Sequence, residues 1–182
     1  MNTVQPETVG LSAPRLARIE AMVRRYMDRG LLPGAITVLM RRGAVAHYNI
    51  VGQMDVAAGK PLREDTIFRV FSMTKPITTL AALILYEENA FHLQYPAAMF
   101  LPELKDMQVF VRKTAGGMDL APLARPVTIF DLLTHTSGLG YGLDTSTEVN
   151  AMYQQAGMLR MDEPIAEKIR RMAAFPLHHQ PG

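Results

Sequence analysis

The sequence contains no cysteine, which excludes a disulfide framework, thiolate catalysis and a thiolate metal site. Long apolar runs are also missing, because the longest, residues 80–85, is far too short to cross a bilayer. An excess of charge of either sign is lacking as well. The formal net charge of the 182 residues is only +2, so charge alone does not indicate a nucleic-acid partner. What remains is the ordinary composition of a globular chain, 48% hydrophobic and 20% charged.

The N-terminal segment, residues 1–10, is polar and shows no signal peptide. We therefore expect a cytoplasmic protein whose partners include neither a membrane nor a nucleic acid. The sequence pattern leaves the oligomeric state open.

The first part of the chain predicts one helix followed by antiparallel strands. Helical spacing of apolar residues indicates an amphipathic helix over residues 12–30, with a serine cap and a glycine stop. Two apolar, β-branched stretches follow, at 35–40 and 44–51, and the Arg-Arg-Gly connection between them suits a hairpin. A third short strand is predicted over residues 66–70.

The second part is predicted to be mainly helical. Residues 76–88 read as a helix that is apolar around nearly its whole circumference, which is typical of a buried helix. Residues 96–126 carry four prolines and a glycine pair and are predicted to be irregular. A short helix capped by Thr128 and a last helix opened by Pro164 complete the pattern.

The motif that carries chemistry is Ser72-Met73-Thr74-Lys75. Residues three apart on a helix share a face, so the Ser72 hydroxyl and the Lys75 amine can meet within hydrogen-bond reach. A serine needs an adjacent base to act as a nucleophile, and a lysine, with a pKa of ~10.4 in water, can serve where burial lowers that value. Pro76 places the motif in a first turn, where the helix dipole favours developing negative charge. On spacing alone, a capping Ser72 and a solvated Lys75 remain the alternative.

The sequence around this motif resembles a known superfamily. Residues 68–78, Phe-Arg-Val-Phe-Ser-Met-Thr-Lys-Pro-Ile-Thr, are similar to the nucleophile region of the class C β-lactamase-like esterases, often called family VIII carboxylesterases. Residues 127–139 resemble the T-I-x-D-L-L-T-H-T-S-G-L stretch of the same families. The chain thus resembles the N-terminal portion of the serine β-lactamase-like and penicillin-binding-protein superfamily.

This resemblance implies an α/β (α+β) fold of the β-lactamase/transpeptidase type. Residues 1–70 would be the N-terminal part of the α/β domain, with its helix and antiparallel strands. Residues 71–182 would hold the nucleophile helix and part of the all-helical region. Since the few strands cannot form a stable sheet alone and the chain ends in a turn signal, we interpret the sequence as truncated, with the C-terminal half of the fold absent.

The resemblance also implies the roles of individual residues. Ser72 would be acylated, Lys75 would assist in removing its proton, and the Ser72 N–H would form half of an oxyanion hole. The family's third catalytic residue, a tyrosine in a Y-x-N or Y-S-x motif, is expected beyond Gly182, because Tyr141 and Tyr153 lie in the wrong sequence context. Neither a cofactor nor a metal is indicated.

Two other residue pairs are candidate sites. His135 and Ser137 could form a nucleophile pair, but no G-x-S-x-G surrounds Ser137, so we interpret this turn as ordering a loop. His178 and His179 lack a carboxylate at helical spacing, which makes them a weak metal-ligand set, and we interpret them as part of a solvated loop.

The sequence therefore predicts a carboxylesterase for short-chain esters that acts through an acyl-enzyme on Ser72. A β-lactamase or a D-alanyl-D-alanine peptidase of the same fold is the alternative, with a β-lactam or peptide in place of the ester. The S-M-T-K-P-I-T sequence and the lack of a visible signal peptide favour the esterase. A truncated scaffold without activity is the alternative of another class, and we expect the 182-residue chain by itself to hydrolyse esters very slowly or not at all.

Overall fold

The computed structural model describes residues 1–182, which form two compact units, Met1–Val70 and Phe71–Gly182. Both units combine helices with antiparallel strands. None of the helices has the length and apolar character needed to span a bilayer.

The first unit begins with the predicted amphipathic helix, α1, which spans Ala13–Asp28. Ser12 occupies the N-cap position, but its side chain makes no capping hydrogen bond. The Glu7 carboxylate takes over this role by accepting a hydrogen bond from the Ala13 N–H at 2.8 Å, which lowers the pKa of Glu7. Helix α1 buries Val23, in line with the predicted apolar face.

A three-stranded antiparallel sheet forms the rest of the first unit, in the order β1-β2-β3. Its strands are β1 (Gly34–Arg41), β2 (Ala44–Asp55) and β3 (Lys60–Pro61). The predicted hairpin between β1 and β2 is confirmed. Arg42 and Gly43 form its two-residue turn with φ values of 53° and 76°, the left-handed pair that matches the twist of the flanking strands.

The predicted third strand at residues 66–70 is wrong, because these residues pair with no strand and β3 lies earlier in the chain. Thr66 instead closes a turn. Its N–H donates to the Arg63 carbonyl at 3.2 Å, and its hydroxyl accepts from the Arg63 N–H at 2.9 Å. A β-branched residue favours a strand by propensity, but here its hydroxyl stabilises a turn.

The second unit contains four helices and a two-stranded hairpin. In chain order these elements are α2 (Thr74–Glu87), β4 (Gln108–Thr114), β5 (Gly117–Pro122), α3 (Ile129–Leu133), α4 (Glu148–Gln155) and α5 (Ile165–Ala173). The short helix capped by Thr128 and the helix that follows Pro164 are confirmed.

Residues 96–126 are not irregular throughout, which corrects the prediction from their prolines. The hairpin of β4 and β5 lies within them, joined by a two-residue turn, Ala115-Gly116. The prolines do not interrupt its hydrogen bonds, since only Pro122 belongs to a strand and it stands at the end of β5. Helix α4 was not predicted either, although the Thr147 hydroxyl caps it by accepting from the Asn150 N–H at 3.1 Å.

The core of the second unit consists of two buried clusters that meet at Met172 of α5. One cluster contains Ala97, Leu104, Met107, Val109, Val127 and Leu177, and the other contains Val149, Tyr153 and Met158. The first cluster includes Leu177 of the C-terminal segment, and the second includes Val149 and Tyr153 of α4, so these two segments form the centre of the unit.

Helix α2 is not buried, contrary to the prediction from its apolar circumference. Ile77 and Leu80 are 66% and 60% exposed. Periodicity shows that a helix lacks a polar face, but it does not show which element covers that face. Here the core gathers around Leu177 and Tyr153, which belong to other elements. The end of α2 is as predicted, since Asn89 adopts a left-handed φ of 58°.

Candidate active site

Ser72 and Lys75 are brought into hydrogen-bond contact at the start of helix α2. A 3₁₀ turn, Phe71–Met73, precedes the helix, and Lys75 Nζ donates to Ser72 Oγ at 3.0 Å. The Ser72 side chain is exposed, whereas Lys75 is half-buried. Pro76 is the third residue of α2, where a missing N–H disturbs no intrahelical hydrogen bond. The hydroxyl–amine contact expected from the spacing is therefore present.

The residue before the serine has a strained backbone. Phe71 has a φ of 43°, in the left-handed region where a residue with a Cβ pays about 1–2 kcal/mol. This conformation turns the chain into the 3₁₀ turn that contains Ser72. Such strain is concentrated at functional sites in proteins, where the surrounding structure maintains it.

Tyr141 lies beside the lysine, although its sequence context gave no reason to select it. The centre of its ring is 5.3 Å from Lys75 Nζ. No carboxylate of the chain forms an ion pair with Lys75. The sequence could not reveal this contact because it depends on the path of the loop after α3.

That loop, Gly138–Gly142, passes so close to neighbouring segments that glycine is required in it. The His178 N–H donates to the Gly138 carbonyl at 2.8 Å. A Cβ at Gly140 would lie 2.3 Å from His178 Nε2, and a Cβ at Gly142 would lie 2.6 Å from the Gln154 backbone nitrogen. Tyr141 therefore stands between two positions at which the backbone is held closely.

The anchor of this loop is an aromatic pair formed by the buried Tyr153 and the half-buried His178. The rings of His178 and Tyr153 are stacked, with centroids 6.4 Å apart and planes inclined by 27°. Burial lowers the pKa of His178 and raises that of Tyr153. The Tyr153 hydroxyl makes no hydrogen bond of ordinary geometry, although the Gly140 backbone lies near enough to offset part of its pKa rise. His178 is thus a packing residue rather than part of a solvated loop.

The remaining candidate residues, His135, Ser137 and His179, contact the backbone rather than one another. His135 has a left-handed φ of 59° and ends α3, and it makes no hydrogen bond to Ser137. The Ser137 hydroxyl accepts instead from the Leu139 N–H at 3.3 Å. His179 contacts the Gln180 carbonyl through Nδ1 at 2.7 Å. No group of three or more His, Asp or Glu side chains in the structure could hold a metal ion.

Helix α3 is fixed beside the site by a buried carboxylate. Asp131, only 1% exposed, accepts two hydrogen bonds from the Arg125 guanidinium at 2.6 and 2.8 Å. It also accepts from the N–H and hydroxyl of Thr128, which completes a capping box. The Arg125 guanidinium, with help from Thr128, holds the pKa of Asp131 well below its usual range.

An open cavity of about 350 Å³ lies between α2 and α3, next to the lysine. It is lined by Phe71, Thr74, Lys75, Thr78, Thr79, Leu132, Leu133 and His135. Ser72 does not line this cavity itself, but it is hydrogen-bonded to Lys75, which does. Two larger open cavities, of about 430 and 710 Å³, lie in the Met1–Val70 unit, but neither contains a hydroxyl bonded to an amine. We therefore take the smaller cavity as the candidate substrate pocket.

We expect Gly142→Ala to lower the free energy of unfolding by about 2–3 kcal/mol, because both a left-handed backbone and a close contact oppose the new Cβ. Gly30→Ala is the matched control. Gly30 has the same φ, 68°, but nothing lies within 4 Å of its Cβ position, so only the backbone cost of about 1 kcal/mol should remain. Urea unfolding of both variants measures the difference, and equal losses would contradict the close packing at Gly142.

The chain is similar to known proteins over nearly its whole length. The family model described as Beta-lactamase matches residues 19–182. Esterase EstB of Burkholderia gladioli is 37% identical over 186 residues, covering 99% of this chain and 44% of that protein. Lovastatin esterase of Penicillium rubens is 32% identical, covering 86% of this chain and 39% of that protein. The chain thus spans less than half the length of these relatives.

Solved structures share the fold. EstCE1, described as a hydrolase with promiscuous acyltransferase activity, superimposes with a TM-score of 0.72 and 27% identity over 91% of this chain and 42% of its own. Unliganded simvastatin synthase LovD from Aspergillus terreus gives a TM-score of 0.69 and 26% identity over 93% of this chain and 44% of its own. These neighbours confirm the fold of helices and antiparallel strands that the sequence predicts.

Proposed function

The chain belongs to the Beta-lactamase family, and from this premise we propose that the whole protein is a serine hydrolase that forms an acyl-enzyme on Ser72. The observation that carries the proposal is the 3.0 Å hydrogen bond between Lys75 Nζ and Ser72 Oγ at the start of α2. A hydroxyl held against an amine at this distance has the geometry of a nucleophile and its base.

The proposed reaction has two stages. First, the Ser72 proton passes to Lys75 while Oγ bonds to the acyl carbon, and the carbonyl electron pair moves to the oxygen. The tetrahedral intermediate then collapses, the bond to the alcohol breaks, and the alcohol leaves with the proton that Lys75 returns to its oxygen. Water repeats the sequence on the acyl-enzyme, releasing the acid and restoring Ser72. The backbone N–H of Ser72, near the positive end of α2, can stabilise the oxyanion.

Short-chain carboxylic esters are the proposed substrates. The cavity beside Lys75, at about 350 Å³, is of a size that holds a small acyl group, and Leu132 and Leu133 give it an apolar wall. Two relatives are named as esterases, which agrees with this choice. We propose that the third catalytic residue is a tyrosine outside residues 1–182.

Transfer of the acyl group to an alcohol is a second candidate. It is favoured by the description of EstCE1 as a hydrolase with promiscuous acyltransferase activity. Water and an alcohol attack the same acyl-enzyme, so the two reactions share Ser72 and Lys75 and differ only in the acceptor.

A fluorophosphonate probe tests the nucleophile. In the full-length protein, the probe is expected to modify Ser72, and mass spectrometry of proteolytic peptides should place the label on the peptide that contains it. Ser137→Ala is the control, because its hydroxyl accepts a backbone hydrogen bond and should not react. A label on another residue would refute the assignment of Ser72, and no label at all would favour the non-catalytic scaffold.

Activity assays on the full-length protein distinguish an ester substrate from a β-lactam. The proposal expects hydrolysis of p-nitrophenyl butyrate to exceed that of nitrocefin, and the reverse order would identify a β-lactamase. Addition of a primary alcohol to the butyrate assay, with detection of the new ester, separates acyl transfer from hydrolysis.

A further inference from the structure

We infer that Tyr141 is a positioning residue for Lys75, and that its ring stabilises the ammonium group formed when Lys75 takes the Ser72 proton. This inference rests on the proposed function. The ring centre lies 5.3 Å from Lys75 Nζ, within the ~6 Å over which an aromatic face attracts a cation.

The ring is the only partner of Lys75 in this chain apart from Ser72. Nζ donates to Ser72 Oγ at 3.0 Å, and no carboxylate pairs with it. An aromatic face attracts an ammonium group much more strongly than a neutral amine. Its stabilisation therefore grows as the proton moves from Ser72 to Lys75, which favours the transition state over the ground state.

The position of the ring is fixed by its backbone rather than by burial of its side chain. Tyr141 is 47% exposed, but the segments on both sides of it are held closely. The Gly138 carbonyl accepts from the His178 N–H at 2.8 Å, and Gly142 lies against the backbone of α4. A positioning group needs such support, since an orientation set by a mobile loop is not maintained during reaction.

The ring also lines a second, smaller cavity. This cavity, of about 230 Å³, is lined by Leu132, His135, Ser137, Leu139, Gly140 and Tyr141. Leu132 and His135 also line the cavity beside Lys75, so the two cavities adjoin. Tyr141 thus both lies near Lys75 and lines a cavity, and the test must separate these two roles.

The test is the rate at which a fluorophosphonate labels Ser72 in the full-length protein, measured over a range of probe concentrations. Tyr141→Leu removes the aromatic face, and its maximal labelling rate is expected to fall about five-fold, the equivalent of about 1 kcal/mol. The half-saturating probe concentration should stay within two-fold of wild type, because a positioning residue affects reaction rather than binding. Tyr141→Phe retains the ring and should restore the wild-type rate within two-fold.

Tyr26→Leu is the matched control. Tyr26 is also exposed and also lies under a cation, Arg29, at 5.9 Å, but it belongs to the other unit. Its removal should leave labelling unchanged. Because Tyr141 is exposed, each variant should melt at the wild-type temperature.

Each other result has a defined meaning. A wild-type protein that takes no label on Ser72 overturns the proposed function and this role with it. If wild type is labelled, an unchanged maximal rate in Tyr141→Leu overturns the role of Tyr141 alone. A change confined to the half-saturating concentration would make Tyr141 a wall of the pocket, and an equal loss in Tyr141→Phe would assign the effect to its hydroxyl. Both results overturn the inference.

Discussion

Lys75→Ala is expected to lower the rate of Ser72 acylation in the full-length protein by about a thousand-fold. The amine is the one group in this chain bonded to the Ser72 hydroxyl, at 3.0 Å, so its loss removes the proposed base. Water can enter in its place, since Ser72 is exposed, but it is a far weaker base. The rate of p-nitrophenyl butyrate hydrolysis and the rate of fluorophosphonate labelling should fall together.

Lys113→Ala provides the control for the loss of a lysine. Lys113 is exposed and pairs with Glu148 at 2.8 Å, so its removal deletes the same charge without touching Ser72. Its activity should equal that of wild type. Lys75→Ala with more than a tenth of wild-type activity would show that another group takes the proton, and the assignment of Lys75 would be abandoned.

Asp131→Ala is expected to lower the free energy of unfolding by about 3 kcal/mol. The substitution leaves the N–H and hydroxyl of Thr128 without their acceptor and separates Arg125 from its buried partner. We place the loss at the lower end of the range for broken buried ion pairs because the Arg125 side chain is 43% exposed and can be solvated. Urea unfolding at pH 7 measures this loss.

The same variant should alter the response to acid. Since the pKa of Asp131 is held well below its usual value, its contribution to stability is complete above the unfolded-state pKa of ~3.9 and declines as the pH falls below it. The difference between wild type and Asp131→Ala should therefore narrow by about 1 kcal/mol between pH 7 and pH 3.

Asp119→Ala is the matched control for this ion pair. Asp119 binds Arg112 at the same 2.6 Å, but the two side chains are 46% and 74% exposed. Its removal should change the unfolding free energy by less than about 1 kcal/mol at either pH. A loss as large as that in Asp131→Ala would mean that burial does not determine the strength of these pairs.

Local signals in the sequence were sufficient to predict the elements whose boundaries depend on neighbouring residues. The α1 helix, the turn at Arg42-Gly43 and the Thr128 cap all follow from residues within one or two turns. The wrong predictions concern residue types that occur in more than one kind of local structure. Thr66 is β-branched, which favours a strand, but it closes a turn. The prolines between 96 and 126 indicate an irregular chain, but a hairpin lies among them with Pro122 at the end of β5.

In the candidate site, too, local contacts could be predicted from the sequence and distant ones could not. The contact between Ser72 and Lys75 follows from helical spacing, and their chemical roles remain a proposal. The contact of Tyr141 with Lys75 is not predictable from the sequence, because the two residues lie 66 positions apart and a contact across that distance depends on tertiary packing. The glycines at 138, 140 and 142 are the signal that could have marked its loop as tightly packed.

The left-handed backbone at Phe71 bears on how this position can evolve. A φ of 43° admits glycine, asparagine and aspartate with least strain and opposes valine, isoleucine and threonine, whose branching at Cβ crowds the backbone. The Phe71 side chain is 68% exposed, and most exposed positions on a protein tolerate almost any substitution. Substitution at position 71 is instead expected to be restricted by this dihedral angle, in addition to the contact that Phe71 makes as part of the cavity wall beside Lys75.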